Sequence, residues 1–177
     1  MKGKKAVFFC SASSEIDSKY NQAARECVRA ACLAGYGIVS GGSFRGTMGA
    51  VADAAAECGA PNIGVLPEFM KGFEYEGLTE LHWTRTMSER KDKMREDVDI
   101  AVALPGGIGT MDEFFETLVL AKLGKFDGRV AVLNLDGFYE PLRELLRHFV
   151  QCGMLTEEDY GRVVFADTPQ ELAKIFE

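Results

Sequence analysis

The chain has 177 residues, 47% of them apolar, and a formal net charge of −7. A chain of this length is expected to form one domain, residues 1–177, with enough apolar material for one sizeable core. The acidic balance and the lack of a long basic stripe argue against nucleic acid as a partner, and no apolar run is long enough to span a membrane.

Short apolar runs alternate with helical patterns along the chain. The basic start Lys2, Lys4, Lys5 leads into Ala6–Cys10, a first strand too short to be a signal peptide. Lys19–Ala34 reads as a helix, broken by Gly35-Tyr36-Gly37, and Ile38–Ser40 as the next strand. Gly46–Cys58 is an alanine-rich helix ended by Gly59 and Pro61, and Ile63–Leu66 a third strand. Glu68–Thr79 is irregular and a candidate lid or pocket wall. Leu81–Thr84 and Met87–Val98 read as a strand and a strongly charged helix. Ile100–Leu104 is a buried strand, Arg129–Leu135 another, and Pro141–Cys152 a helix with proline in its first turn. Val163–Phe165 is a last short strand, and Thr168-Pro169-Gln170-Glu171 caps a final helix.

This alternation predicts an α/β fold: a Rossmann-like, doubly wound parallel sheet with helices on both faces. Ligands of such sheets bind beyond the carboxyl ends of the strands, where Ser11–Ser14, Gly41–Gly46 and Pro105–Thr110 fall. The five cysteines, Cys10, Cys27, Cys32, Cys58 and Cys152, are odd in number and contain no C-x-x-C. That points to reduced thiols and a cytoplasmic protein, with no zinc site.

The segment Pro105-Gly106-Gly107-Ile108-Gly109-Thr110-Met111-Asp112-Glu113 joins a buried strand to a helix through a tight glycine turn. Such a turn leaves backbone N–H groups free at the positive end of a helix, where an anion is favoured. Glu113 then sits about one turn into the helix, so phosphate grip and acid–base group fall together. Read alone, Glu113 equally fits a carboxylate that favours the helix dipole. The loop lacks the lysine of a nucleotide triphosphate loop, and Gly41-Gly42-Ser43-Phe44-Arg45-Gly46 is spaced wrongly for a dinucleotide fingerprint. Two glycine loops on one sheet fit a mononucleotide cradled from two sides.

The central segment matches the P-G-G-x-G-T-x-x-E signature, and Met87-Ser88-Glu89-Arg90-Lys91 the M-x-x-R-K signature, of the LOG (Lonely Guy) proteins. Gly46-Thr47-Met48-Gly49 and Asn134-Leu135-Asp136-Gly137-Phe138-Tyr139 also resemble stretches of that family. The resemblance covers essentially the whole chain. It implies hydrolysis of the N-glycosidic bond of a nucleoside 5′-monophosphate, a cytokinin riboside monophosphate or AMP, to free base and ribose 5-phosphate. From the residues themselves no metal or cofactor is expected, since His82 and His148 lack metal-ligand spacing and no lysine is singled out for a Schiff base. The resemblance also implies a homodimer with the pocket near the subunit interface. Carried over position by position, it makes Arg90 and Glu113 catalytic. Substrate contacts fall to Ser13, Gly42, Glu74, Met87, Arg90, Lys91, Gly106, Gly107, Ile108, Gly109, Thr110, Met111, Asp112 and Glu116. Glu116, three residues beyond Glu113, either orients it or contacts the ribose. Ser11, Ser43, Thr47 and Val119-Leu120 depart from the usual family residues, which bears on base specificity more than on the reaction. The alternative is a non-catalytic nucleotide or cofactor carrier of similar fold, as in molybdenum-cofactor carrier proteins.

Overall fold

The structure, a computed structural model, describes residues 3–177; Lys2 of the basic start lies outside them. In chain order the elements are β1 (Lys5–Phe9), α1 (Ser18–Leu33), β2 (Gly37–Ser40), α2 (Gly46–Glu57), β3 (Asn62–Pro67) and β4 (Glu80–Thr84). They continue with α3 (Met87–Arg95), β5 (Ile100–Ala103), α4 (Ile108–Lys122), β6 (Arg129–Leu133), α5 (Glu140–Gln151), α6 (Glu157–Tyr160), β7 (Val163–Ala166) and α7 (Pro169–Ala173). The strands form one sheet in the order β4-β3-β2-β1-β5-β6-β7, every neighbouring pair parallel. The doubly wound parallel sheet read from the sequence is therefore the fold.

Side chains alternate across a strand, so a strand covered on both faces must be apolar at every position. Ala6 and Phe8 of β1, Ile100 and Val102 of β5 and Leu133 of β6 enter one core layer, with Cys27 and Ala31 of α1, Val51 and Ala55 of α2 and Leu172 of α7. The intervening Val7, Phe9, Ala101, Ala103 and Val132 enter the other, with Met94 of α3, Phe114 and Leu118 of α4 and Leu146 of α5. The winding reverses between β1 and β5, which pair directly through Ala6–Ile100 and Phe9–Ala103. At such a switch point the loops leaving the two strands diverge and open a crevice at their carboxyl ends.

One helix end and one additional short helix are the main departures from the sequence expectation. The helix α3 stops at Arg95, because Asp97 takes a left-handed conformation (φ 63°) that a helix cannot contain. The helix α4 starts at Ile108, so Gly109 and Thr110 belong to its first turn and Glu113 to its second. The short helix α6, capped by the Thr156 side chain on the Asp159 N–H, was not anticipated. The irregular stretch after β3 begins with a 3-10 turn, Glu68–Met70. It is stitched to the loop after β2 by Phe44 N–H to the Phe73 carbonyl (3.1 Å), Tyr75 N–H to the Gly42 carbonyl (2.9 Å) and the Arg45 guanidinium over the Phe73 ring. No helix among the described residues is long and apolar enough to cross a membrane.

Candidate active site

A cavity of about 280 Å3 lies at the carboxyl ends of β1, β2 and β5. Its wall combines Cys10, Ser11 and Ala12 after β1, Gly41 after β2, Arg90 and Met94 of α3, and Gly107, Gly109, Thr110 and Glu113 of the glycine loop and α4. Phe8, Met48 and Met70 complete it. Met70 belongs to the irregular stretch between β3 and β4, which thus serves as a pocket wall.

Arg90 and Glu113 meet inside this cavity. Arg90 sits in the first turn of α3, which the Thr86 side chain caps by accepting from the Glu89 N–H. One Arg90 Nη donates to Glu113 Oε1 at 2.9 Å, and its Nε donates to the Val65 carbonyl of β3 at 2.9 Å. Both side chains are only about a tenth exposed (9% and 10%). A buried pair of this kind is stable only when its partners are well placed, since losing one strands the other's charge. Burial pushes the Glu113 carboxyl above its ordinary range, and the Arg90 guanidinium opposes that shift without cancelling it. Gly41 makes room for the pair: a Cβ there would lie 2.4 Å from an Arg90 Nη and 2.5 Å from Met48 Sδ.

The start of α4 supplies the other half of the site. No side chain caps the Gly107 end of this helix. The first helical bond runs from the Met111 N–H to the Gly107 carbonyl, so the amides of the first turn keep the free donors that every helix start carries. The Thr110 hydroxyl is buried in this wall without a protein partner. Gly106 lies against it; a Cβ on Gly106 would come within 2.1 Å of Thr110 Oγ1. Unfilled donors, a helix N-terminus and a buried hydroxyl form an environment suited to an anion.

The structure brings Arg90, Gly107, Gly109, Thr110 and Glu113 together in the cavity wall. It distributes the other expected contacts elsewhere. Ser13 is exposed; its N–H is taken by Ser11 Oγ, and its own hydroxyl accepts from the Glu15 N–H. Gly42 receives the Tyr75 N–H, Gly106 supports Thr110 from behind, and Met87 opens α3 half-exposed. The Glu74 carboxylate folds back onto the Gly72 N–H at 2.6 Å. Lys91, Ile108, Met111, Asp112 and Glu116 line a separate open hollow. There Lys91 Nζ bridges Asp112 and Glu116, each at 2.9 Å, and Arg95 also reaches Glu116 at 3.2 Å. Burial acts on the Glu116 carboxyl, but Lys91 and Arg95 outweigh it and hold the group below its ordinary range. Glu116 thus fastens α3 to α4 and makes no bond to Glu113.

Sequence reasoning placed Ser11, Gly41 and Met70 within ligand-end loops or a pocket wall without singling them out, and missed Met48 and Met94 as lining residues. Met94 was readable, because it lies four residues beyond Arg90 on the same helical face. Cys10 also lines the cavity. Burial, and next the neighbouring Glu113 carboxylate, push its thiol far up, so it packs as an apolar group and supplies no thiolate.

Comparison with known proteins identifies the family. Residues 48–176 match the family model described as "Possible lysine decarboxylase". A cytokinin riboside 5′-monophosphate phosphoribohydrolase of Rhodococcoides fascians is 37% identical over 164 residues, covering 91% of this chain and 83% of that protein. One of Arabidopsis thaliana is 34% identical over 171 residues, covering 96% and 80%. Among solved structures, the molybdenum cofactor binding protein of Rippkaea orientalis superposes with a TM-score of 0.73 at 20% identity, covering 97% of this chain and 94% of the other. The molybdenum cofactor carrier protein of Chlamydomonas reinhardtii gives 0.72 at 21%, covering 97% and 94%. At that identity the likeness establishes the fold alone. The sequence relatives go further: with a third of its residues shared along nearly its full length, this chain belongs to the LOG family of phosphoribohydrolases, enzymes that hydrolyse N-glycosidic bonds.

Proposed function

We propose that the protein hydrolyses nucleoside 5′-monophosphates, AMP and cytokinin riboside monophosphates among them, to the free base and ribose 5-phosphate. The observation that carries this reading is the buried Arg90–Glu113 pair, which shares one cavity wall with the uncapped start of α4. The amides of Gly107 to Thr110 hold the phosphoryl group, and the Thr110 hydroxyl gains the partner it lacks in the protein.

Cleavage of the C1′–N bond builds positive charge on the ribose and negative charge on the departing base. The Glu113 carboxylate stabilises the first and accepts a proton from the attacking water, whose oxygen bonds to C1′. The base leaves with the bonding electron pair and takes up one proton from solvent, while Glu113 returns the proton from the attacking water to solvent. Arg90 aims the Glu113 carboxyl and favours its ionised form against the burial that raises its pKa. The three methionines Met48, Met70 and Met94 give the cavity an adaptable apolar surface for a flat base.

The protein acts as a homodimer in this reading. The helix α4 leaves an apolar stripe at Ile108, Met111, Phe115 and Val119, with Ile108 91% exposed, and continues to the exposed Leu123. Met111 and Phe115 pack partly on the core, while Ile108, Val119 and Leu123 leave the outer edge of the stripe open to a partner. The described cysteines are all free, which fits the reducing cytoplasm. Incubation with AMP and with isopentenyladenosine 5′-monophosphate, followed by chromatography, tests the reaction: equal amounts of free base and ribose 5-phosphate are expected. Intact nucleotide recovered bound to the protein after long incubation would indicate a carrier instead.

A further inference from the structure

We infer that Tyr139 is a positioning residue for the glycine loop: its hydroxyl ties down the carbonyl of Leu104, where β5 gives way to Pro105-Gly106-Gly107, and so fixes the amides that grip a phosphoryl group. The inference rests on the nucleotide reading for its substrate, but on the loop geometry alone for the anion.

The loop is short of internal ties. Pro105 has no N–H to donate, and Gly106 and Gly107 carry no side chain to pack. On one side its root is held by β1, through the Leu104 N–H and the Phe9 carbonyl at 2.9 Å. On the other, Tyr139 donates its phenol O–H to the Leu104 carbonyl at 2.8 Å. That bond spans 35 residues of chain and is buried.

Tyr139 is itself fixed from behind. Its N–H donates to Asn134 Oδ1 at 2.7 Å, and Asn134 donates from Nδ2 to Asp167 at 2.8 Å and from its backbone to the Ala166 carbonyl at 2.7 Å. The left-handed pair Asp136 and Gly137 (φ 52° and 75°) turns the chain so that the Tyr139 ring enters the core at the mouth of α5. Its ring packs edge-on against Phe138 with centroids 4.8 Å apart. Burial drives the phenol towards its neutral, donating form, with the Gly106 amide pulling the other way. Phenylalanine would fill the same space, so only the hydroxyl is unexplained by packing. This accounts for the segment Asn134 to Tyr139, to which the reaction itself assigns no part.

The variant Tyr139→Phe removes that hydroxyl and keeps the ring. With AMP, KM is expected to rise five- to tenfold, the share of one buried hydrogen bond, with kcat within about threefold of wild type. Inhibition by ribose 5-phosphate should weaken by the same factor, while inhibition by adenosine, which lacks the phosphoryl group, stays unchanged. A hydroxyl that only supports the core would lower the melting temperature and leave KM and product inhibition at wild-type values, and that result overturns the inference. If the wild type releases no base from AMP, the nucleotide reading falls separately. Calorimetric titration with ribose 5-phosphate then decides on binding: several-fold weaker binding by the variant upholds the loop's dependence on Tyr139, and equal affinities, or no binding by either protein, overturn it.

Discussion

Replacing Gly41 by alanine should disable the site by displacing Arg90, with both members of the proposed catalytic pair, Arg90 and Glu113, left in the sequence. The added methyl would sit 2.4 Å from an Arg90 Nη and 2.5 Å from Met48 Sδ, whereas ordinary contacts to carbon are about 3.5–4.0 Å. Met48 can swing aside, but the guanidinium is held at 2.9 Å by both the Val65 carbonyl and Glu113. It must retreat by roughly 1 Å, which carries at least one of those bonds outside hydrogen-bond range. Overpacking of this kind costs about 1–3 kcal/mol. For a chain of this size that is a fall in melting temperature of roughly 2–12 °C, at about 2–4 °C per kcal/mol. A displacement of about 1 Å in a catalytic group costs on the order of a hundredfold in rate.

The assay is base release from AMP at saturating substrate, run beside a thermal melt. Gly41→Ala is expected to lose about two orders of magnitude in kcat while remaining folded. A variant with kcat within threefold of wild type and an unchanged melt would refute the reasoning. The cavity would then have slack, and the placement of Arg90 would not limit the rate.

Further perturbations separate the roles of the remaining groups. Glu113→Gln, which keeps an acceptor for Arg90 but leaves its buried charge without a counter-ion, should abolish turnover in the base-release assay and lower the melting temperature of a protein that still folds. Because burial holds the Glu113 carboxyl above its ordinary range and the reacting form is ionised, the acid limb of kcat/KM should lie above the usual carboxylate range. The same raised value means that this group's contribution to stability is full below its unfolded value and lost as pH rises through the folded one; Glu113→Gln should remove that pH dependence from chemical-denaturation curves. Val119→Glu, on the exposed stripe of α4, should shift sedimentation from dimer to monomer while leaving circular dichroism unchanged.

The sheet was legible because its strands are apolar at consecutive positions, which only a strand covered on both faces tolerates. The motifs located the cavity for the same reason: glycine turns at strand ends are local features. What the sequence concealed is tertiary. The helix α3 is so charged that its residues read as a solvated face, yet Arg95 is as buried as Arg90, its charge shared between Asp92 and Glu116. Phe115 packs partly against the core and partly lines the open hollow beside α4. Glu113 and Glu116 lie three residues apart on one helix and still face different surroundings, because α3 offers Arg90 to one and Lys91 and Arg95 to the other. The family resemblance makes Glu113 catalytic and leaves Glu116 either to orient it or to contact the ribose; the packing of α3 against α4 separates the two.

That separation bears on why the chain is read as a hydrolase when its fold is shared with cofactor carriers. A carrier needs only donors that hold a phosphoryl group, and the start of α4 supplies them. A carboxylate in the same cavity works against holding an anionic ligand, since like charges repel and the buried group also costs desolvation. Such a group improves the protein only if positive charge appears on the ligand during the reaction, as it does at C1′ when a glycosidic bond opens. Neutralising it should therefore stop turnover and leave AMP bound as tightly as before, or more tightly. Calorimetry on Glu113→Gln is the measurement: if AMP binding weakened in step with turnover, Glu113 would be a binding residue, and the argument from the buried pair to catalysis would fail.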